Sequence, residues 1–297
     1  MSITNFRTGS ASSGAPAKVT FQTLQDKKKL QTPICALTAY DYATARMVDE
    51  AGVDLILVGD SLAMVVMGYE TTLPVTVDEM LHHTRAVRRA VKRAIVAADM
   101  PYGSYHGSLH DAVNNAVRFV KEAGAEAVKI EGGAIRCELV ERLVAAEIPV
   151  IGHLGLTPQA VHRMGGYKVQ GKTEAAADEL ARDARMLESA GASLIVLEGM
   201  PREVAAGITS QLNIPTIGIG AGPDCDGQIL VFHDLVNLSF SSPAKFVRRY
   251  GDAAALFGSA ITSYKRDVEQ REFPTEAESY HMPVKPVSAI AAGLRKA

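Results

Sequence analysis

Four acids in this chain stand just behind short apolar runs: Asp60 after Leu55-Ile56-Leu57-Val58, Asp99 after Ala94-Ile95-Val96-Ala97, Glu131 after Ala127-Val128-Lys129-Ile130, and Glu198 after Leu194-Ile195-Val196-Leu197. If Asp60, Asp99 and Glu131 converge, their charges repel and raise one another's pKa. A hard divalent cation removes that conflict. An all-oxygen set without a cysteine or paired-histidine cluster selects Mg²⁺, or its relatives Mn²⁺ and Ca²⁺, over zinc. The competing reading is that each acid caps the helix after its own strand. Lys129 lies two residues before Glu131, so both side chains point to one face of a strand. A buried lysine needs a partner; here it is either an anion handle beside the metal or an ion pair with Glu131. Glu198 stands apart from the other three. A carboxylate that faces a metal-held substrate without ligating the metal is suited to proton abstraction; a cap or a structural ion pair is the alternative. His153, in the stretch Gly152–Gln159, ends another apolar run and is either structural or catalytic. The segment 165–171 (GGYKVQG) reads as a hinged lid or a plain surface loop. Gly218-Ile219-Gly220-Ala221-Gly222 could offer backbone N–H groups to an anion.

The elements that must carry these residues follow a repeat. Ala51-Gly52, Ala123-Gly124 and Ala190-Gly191 each close a helix-like stretch, and a glycine there takes the left-handed cap conformation at no steric cost. The short runs that follow read as buried parallel strands. Eight are expected: 34–37, 55–58, 94–97, 127–130, 150–152, 194–197, 216–219 and 229–232. Thr76-Val77-Asp78-Glu79 is a capping box opening a helix through Val91, with a basic face (Arg85, Arg88, Arg89, Lys92, Arg93) that either meets water or binds an anion. Residues 111–121 place Val113, Ala116, Val117 and Val120 on one stripe, and 178–188 do so with Leu180, Ala184 and Leu187. Eight strands alternating with helices fit a (β/α)8 TIM barrel, whose C-terminal mouth gathers the strand-end residues. A doubly wound sheet fits less well, because no GxGxxG follows the first strand. The expected organisation is a disordered tail (1–18), a barrel catalytic domain (19–265) and a C-terminal extension (266–297), whose last stretch, 282–297, packs on a neighbouring subunit or frays.

Of 297 residues, 47% are hydrophobic and 22% charged, and 31 basic against 33 acidic residues give a net charge of −2. That size suits one large α/β domain, and that balance gives no reason to expect nucleic-acid binding. Three scattered cysteines fit a reducing compartment and no disulfide framework. No apolar run approaches a membrane span, and the first residues lack the apolar core of a secretory signal.

Seven motifs occur in order: Thr38-Ala39-Tyr40-Asp41, Val58-Gly59-Asp60-Ser61-Leu62, Thr72-Leu73-Pro74-Val75-Thr76, 128–133 (VKIEGG), 152–159, 165–171, and 218–222 with Asp226-Gly227-Gln228. The set resembles the ketopantoate (3-methyl-2-oxobutanoate) hydroxymethyltransferase family across residues 19–282, departing in the two tails and in Pro223-Asp224-Cys225. The resemblance implies a TIM barrel of the phosphoenolpyruvate/pyruvate type acting in pantothenate synthesis. It implies Mg²⁺, with Mn²⁺ or Co²⁺ as substitutes, and 5,10-methylenetetrahydrofolate as cosubstrate. It also implies a cytoplasmic homodecamer arranged as a pentamer of dimers. By the same resemblance Asp60, Asp99 and Glu131 match the metal-associated acids, Asp60, Ser61, Asp99, Lys129 and His153 the oxo-acid contacts, and Glu198 the base. Two rivals are a C–C or P–C lyase on the same barrel, for which no KKCGH-like nucleophile loop is present, and a non-catalytic barrel scaffold.

Overall fold

The computed structural model describes residues 17–281; residues 1–16 of the expected tail and 282–297 of the expected extension lie outside the described residues. Eight parallel strands close into a barrel in sequence order: β1 (Ile34–Thr38), β2 (Leu55–Val58), β3 (Ile95–Asp99), β4 (Ala127–Glu131), β5 (Val150–Gly155), β6 (Leu194–Glu198), β7 (Thr216–Ile219) and β8 (Gly227–Leu230). β8 pairs back with β1 through Ile34↔Gly227 to Leu37↔Leu230.

Strand alternation decides what the barrel encloses. Ile34, Leu55, Ile95, Ala127, Ile151 and Leu194 pack together inside it. Their neighbours Ile56, Val96, Val128, Ile130 and Ile195 face the surrounding helices. Continuing the inward set toward the strand ends puts Asp99, Lys129, Glu131, His153 and Glu198 above that apolar plug. The barrel interior is therefore apolar at its base and charged at its mouth, where TIM barrels do their chemistry.

Three differences from the expected elements have local causes. β8 begins two residues early because Asp226 Oδ2 accepts from the backbone N–H and hydroxyl of Thr216 and pairs with Lys28 at 2.7 Å, which seats Gly227 beside Ile34. Phe232 opens a short helix instead, its N–H donating to Thr38 Oγ1 at 2.9 Å. Helix Leu109–Ala123 buries Ala112, Ala116, Phe119 and Ala123, while Val117 and Val120 are exposed. Val113 still packs against the core, and the bulky Phe119 takes the place expected for Val117 and Val120. The capping box at Thr76 and Glu79 is present, and the basic face it leads into is partly tied: Arg85 pairs with Glu122 at 2.9 Å and Arg93 with Asp54 at 3.1 Å.

The opposite end of the barrel is held by ion pairs and caps. Lys18 reaches Glu126 at 2.8 Å and the Ala94 carbonyl. Asp54 is 2% exposed and bridges Lys27 and Arg93 while accepting from the Cys35 N–H. Burial alone would raise its carboxyl, but those three donors hold it below its ordinary value. Asp54→Asn removes one side of this buried network and is expected to cost about 3–5 kcal/mol, read as a lower Tm. A depressed pKa means the contribution is complete above the unfolded value of about 3.9 and fades as pH falls through the lower folded one. The Tm gap between wild type and variant should thus be full at neutral pH and narrow only in strong acid; a gap unchanged into strong acid contradicts the charge argument.

Candidate active site

At the mouth, Asp99 on β3 stands in register with Lys129 on β4, and the buried Lys129 ammonium lies 2.6 Å from Asp99 Oδ1. The lysine's ion-pair partner is thus Asp99, not Glu131. Burial works against the ammonium, but Asp99, Glu131 and Asp60 together outweigh it and hold the amine above its ordinary value. It therefore carries its charge at neutral pH.

Asp60 follows β2. Its backbone N–H donates to Asp99 Oδ2 at 3.0 Å, and its own Oδ2 accepts from Gln159 Nε2 at 2.8 Å. Gln159 also donates its backbone N–H to Glu131 Oε2 at 3.0 Å. The Tyr105 hydroxyl donates to Gln159 Oε1 at 2.6 Å and accepts from the Glu131 N–H. Gln159 thus joins Asp60 to Glu131, and the Asp60 N–H joins Asp60 to Asp99. None of them caps the helix after its strand: the helix behind β2 has Ser61 at its N-cap, with no side-chain cap bond.

His153 connects this cluster to Glu198. Its Nδ1 lies 3.3 Å from both Glu131 Oε1 and Lys129 Nζ, and its Nε2 lies 3.1 Å from Glu198 Oε2. Burial and the Lys129 charge push the imidazole down, yet the bonds to Glu131 and Glu198 prevail and it is pushed up to about 9. Burial likewise opposes the charge on Glu131, while His153, Lys129 and the Gln159 N–H keep its carboxyl below the ordinary value. Glu198 has 16% of its side chain exposed against 4% for Asp99 and 5% for Glu131, so it is the acid that opens outward. Gly155 lets it sit there. At φ +92°, a Cβ on Gly155 would come 2.1 Å from the Glu198 carbonyl oxygen, a contact only glycine avoids.

Asp60, Ser61, Asp99, Lys129, Glu131, His153 and Glu198 all line one cavity of about 360 Å³. Ser61 Oγ is 2.8 Å from the hydroxyl of buried Tyr40. Burial raises that phenol above its ordinary value, so it remains neutral.

The sequence model described as ketopantoate hydroxymethyltransferase matches residues 18–276. A 3-methyl-2-oxobutanoate hydroxymethyltransferase of Koribacter versatilis (strain Ellin345) is 64% identical over 267 residues, 90% of each chain. Its counterpart in Geobacter metallireducens is 53% identical over 263 residues, 89% of this chain and 98% of that one. The chain belongs to the ketopantoate hydroxymethyltransferase family. It is therefore grouped with enzymes, which disfavours the scaffold reading. Two solved structures share the fold at 16% identity: a phosphonopyruvate hydrolase in complex with oxalate and Mg²⁺ (TM-score 0.56, 93% of this chain and 95% of that) and a 2,3-dimethylmalate lyase of the PEP mutase/isocitrate lyase superfamily (TM-score 0.52, 95% and 97%).

How the family's site would accept a metal can be read from its donors. Among the described residues, no three acid, histidine or cysteine side chains already stand as a ligand cage. Asp60 and Glu131 are pinned by Gln159 instead. Surplus negative charge remains: burial, then the charges of Asp99 and Glu131, push the Asp60 carboxyl well above its ordinary value despite Lys129 and Gln159. Asp99 Oδ1 and Glu131 Oε1 are buried without an aligned hydrogen bond. An all-oxygen set with this excess fits Mg²⁺, which takes one or two carboxylates and fills its shell with water and substrate. It does not fit zinc.

Gln159 and Tyr105 have no strand-end signature, so a reading built on strand ends passes over them. The Thr157-Pro158 turn, which starts a short helix and aims the Gln159 N–H at Glu131, was the available signal. The glycine loop after β7 answers to packing: a Cβ on Gly220 would meet the Phe246 ring at 2.6 Å, and φ there is +62°. Tyr167, in the segment 165–171, also lines the cavity, its hydroxyl 3.9 Å from Met64 Sδ.

Proposed function

We infer that this chain transfers a hydroxymethyl group from 5,10-methylenetetrahydrofolate to 3-methyl-2-oxobutanoate, giving 2-dehydropantoate for pantothenate biosynthesis. The observation that carries the reading is the gathering of the seven strand-end residues around one cavity, six of them linked by direct contacts. Asp60 and Asp99, with Glu131 behind them, would hold Mg²⁺. When bound, the cation would draw electron density from the keto group and make the neighbouring C–H bond more acidic. The chain's own residues do the rest. Ser61, steadied by Tyr40, donates to the oxo-acid carboxylate. Lys129 places a fixed positive charge where negative charge develops on the keto oxygen. Glu198 takes the proton from C3 and is held in line by His153. C3 then forms a bond to the one-carbon unit as its two carbon–nitrogen bonds to the folate break; water supplies the hydroxyl on that carbon, and the proton from C3 and the second water proton end on the two folate nitrogens. One water is consumed overall, with tetrahydrofolate as the other product. Supplying both substrates and Mg²⁺ and detecting 2-dehydropantoate tests this. Cleavage of the oxo acid with no dependence on folate would favour the lyase reading instead.

We further propose a cytoplasmic homo-oligomer, the decameric pentamer of dimers that the family resemblance implies. Three unpaired cysteines support the reducing compartment. Among the described residues no helix is long and apolar enough to cross a membrane. Helix Ala253–Glu269 supports the assembly. It runs across the expected division at residue 265 and buries no residue, while Leu256 and Ile261 on its apolar stripe are each 67% exposed. Such a stripe normally packs on something. Leu256→Asp with Ile261→Asp is expected to lower the mass measured by light scattering while leaving the circular dichroism of the barrel intact. An unchanged mass removes this helix from the interface.

A further inference from the structure

We propose that the outer part of the active-site cavity, between Tyr167 and Phe246 with Asp234 at its end, seats the reduced pterin ring of the one-carbon donor. The proposal rests on the function inferred above and adds where the second substrate lies.

The cavity has two halves of different chemistry. Its floor is the charged cluster to which the oxo-acid chemistry was assigned above. Away from that cluster the lining is mostly apolar, with Leu156, Tyr167, Val231 and Phe246, and also carries the polar Ser241, Ser242 and Asp234. At about 360 Å³ it reaches the range of roughly 300–1,000 Å³ that takes a ligand much larger than a five-carbon acid. The outer half therefore has room for a planar ring, and its two aromatic side chains offer faces for one. The Phe246 ring occupies the space that a Cβ on Gly220 would enter, so glycine at 220 leaves room for it.

Asp234 is the one acid lining this cavity that the oxo-acid chemistry leaves unused. It follows β8, in the short helix Phe232–Leu235. Its recorded bonds are backbone ones, the N–H to the Val231 carbonyl and the carbonyl from the Asn237 N–H. Among the described residues no side-chain hydrogen bond or ion pair engages its carboxylate. A reduced pterin presents an amino group and a ring N–H side by side. That pair of donors matches a carboxylate bidentately, as a guanidinium does. The position also suits the reach. Glu198 ends β6 and Asp234 follows β8, two strands away, and two inter-strand spacings of about 4.8 Å make roughly 10 Å. A ring whose donor edge rests on Asp234 can then point its opposite edge, which carries the one-carbon unit, toward C3 of the oxo acid.

A neighbouring cavity of about 340 Å³ is lined by Tyr102, Arg136 and Arg163 and shares only Glu131 with the first. Its basic groups suit an anion, but a pterin there would not face Glu198.

Steady-state kinetics of the full chain with Asp234→Asn test the assignment. The amide cannot accept from both donors, so KM for 5,10-methylenetetrahydrofolate should rise at least tenfold while KM for the oxo acid stays within twofold. Phe246→Leu, which keeps an apolar contact but loses the ring face, should raise the same KM by several-fold and serves if the first variant folds poorly. Folate KM values unchanged in both variants, or a rise produced by Arg136→Gln instead, would overturn the subsite. Failure of the inferred function is distinguishable, because the wild-type chain would then form no 2-dehydropantoate at any folate concentration.

Discussion

In D₂O, with 3-methyl-2-oxobutanoate and Mg²⁺ but no folate, the wild-type chain is expected to wash deuterium into C3, and Glu198→Gln to slow that exchange by about 10²–10⁴-fold. The size follows from the job. A positioned base contributes that range, and no other acid of the charged cluster is free to replace it; the unengaged Asp234 follows β8, two strands and roughly 10 Å from Glu198. Asp99 is committed to Lys129 and the Asp60 N–H, and Glu131 to His153 and Gln159. Asp60 is engaged by Gln159 and pushed toward its neutral form by its surroundings. Glu198 alone has both a fixed orientation, through His153 Nε2 at 3.1 Å, and exposure toward the cavity. Glutamine keeps the side chain's length and its acceptor oxygen for His153, so the fold and the KM for the oxo acid should change little. NMR of the recovered oxo acid reads the exchange directly. An exchange rate equal to wild type would remove Glu198 from the proton transfer and move the search to a water held at the cluster.

The same contacts show why part of this site was legible in the sequence and part was not. A parallel barrel strand must be apolar where it crosses the plug and can be polar only where it emerges, so an apolar run ending in an acid or a histidine marks a mouth position. That rule finds Asp99, Glu131, His153 and Glu198, and finds Asp60 one step into its loop. It also finds Lys129, because two residues of strand return the side chain to the same face. The rule has no purchase on groups that reach the site from loops. Gln159 touches Asp60 and Glu131 from a short helix behind β5, and Tyr105 braces it from the segment after β3. Asp234 sits past a strand that the sequence placed two residues late. The error at β8 has a physical origin: Asp226-Gly227 reads as a turn, and only the long-range pull of Lys28 and Thr216 on Asp226 converts it to a strand start. The buried face of helix Leu109–Ala123 is half legible for a similar reason: Ala116 and Val113 pack inward as the stripe expects, while Val117 and Val120 do not. A valine count weights three medium residues, whereas packing is decided by one phenylalanine flanked by alanines.

Lys129→Met should have the next largest effect, a fall in transfer rate of about 10²–10³-fold, the loss typical of one preorganised group facing developing negative charge. Methionine matches the length of the lysine stem, so the change deletes a charge more than a volume. The loss would not be confined to catalysis. Asp99 lies 2.6 Å from that ammonium and is 4% exposed, and removing one partner of a buried pair costs about 3–5 kcal/mol. The melting temperature without added metal should therefore drop sharply. Two explanations of the drop separate on adding Mg²⁺. If Asp60 and Asp99 hold the cation, deleting Lys129 leaves their charge less compensated, so Mg²⁺ should bind the variant more tightly and raise its Tm by more than it raises that of the wild type. If Lys129 were only a structural counter-ion in a site that holds no cation, Mg²⁺ would leave both melting temperatures where they were, and transfer activity would follow the folded fraction alone. Thermal melts across a Mg²⁺ titration, paired with initial rates at a temperature where both proteins are folded, tell these apart. A variant that retains activity within tenfold of wild type would take Lys129 out of the chemistry and leave the keto oxygen to be stabilised by other groups.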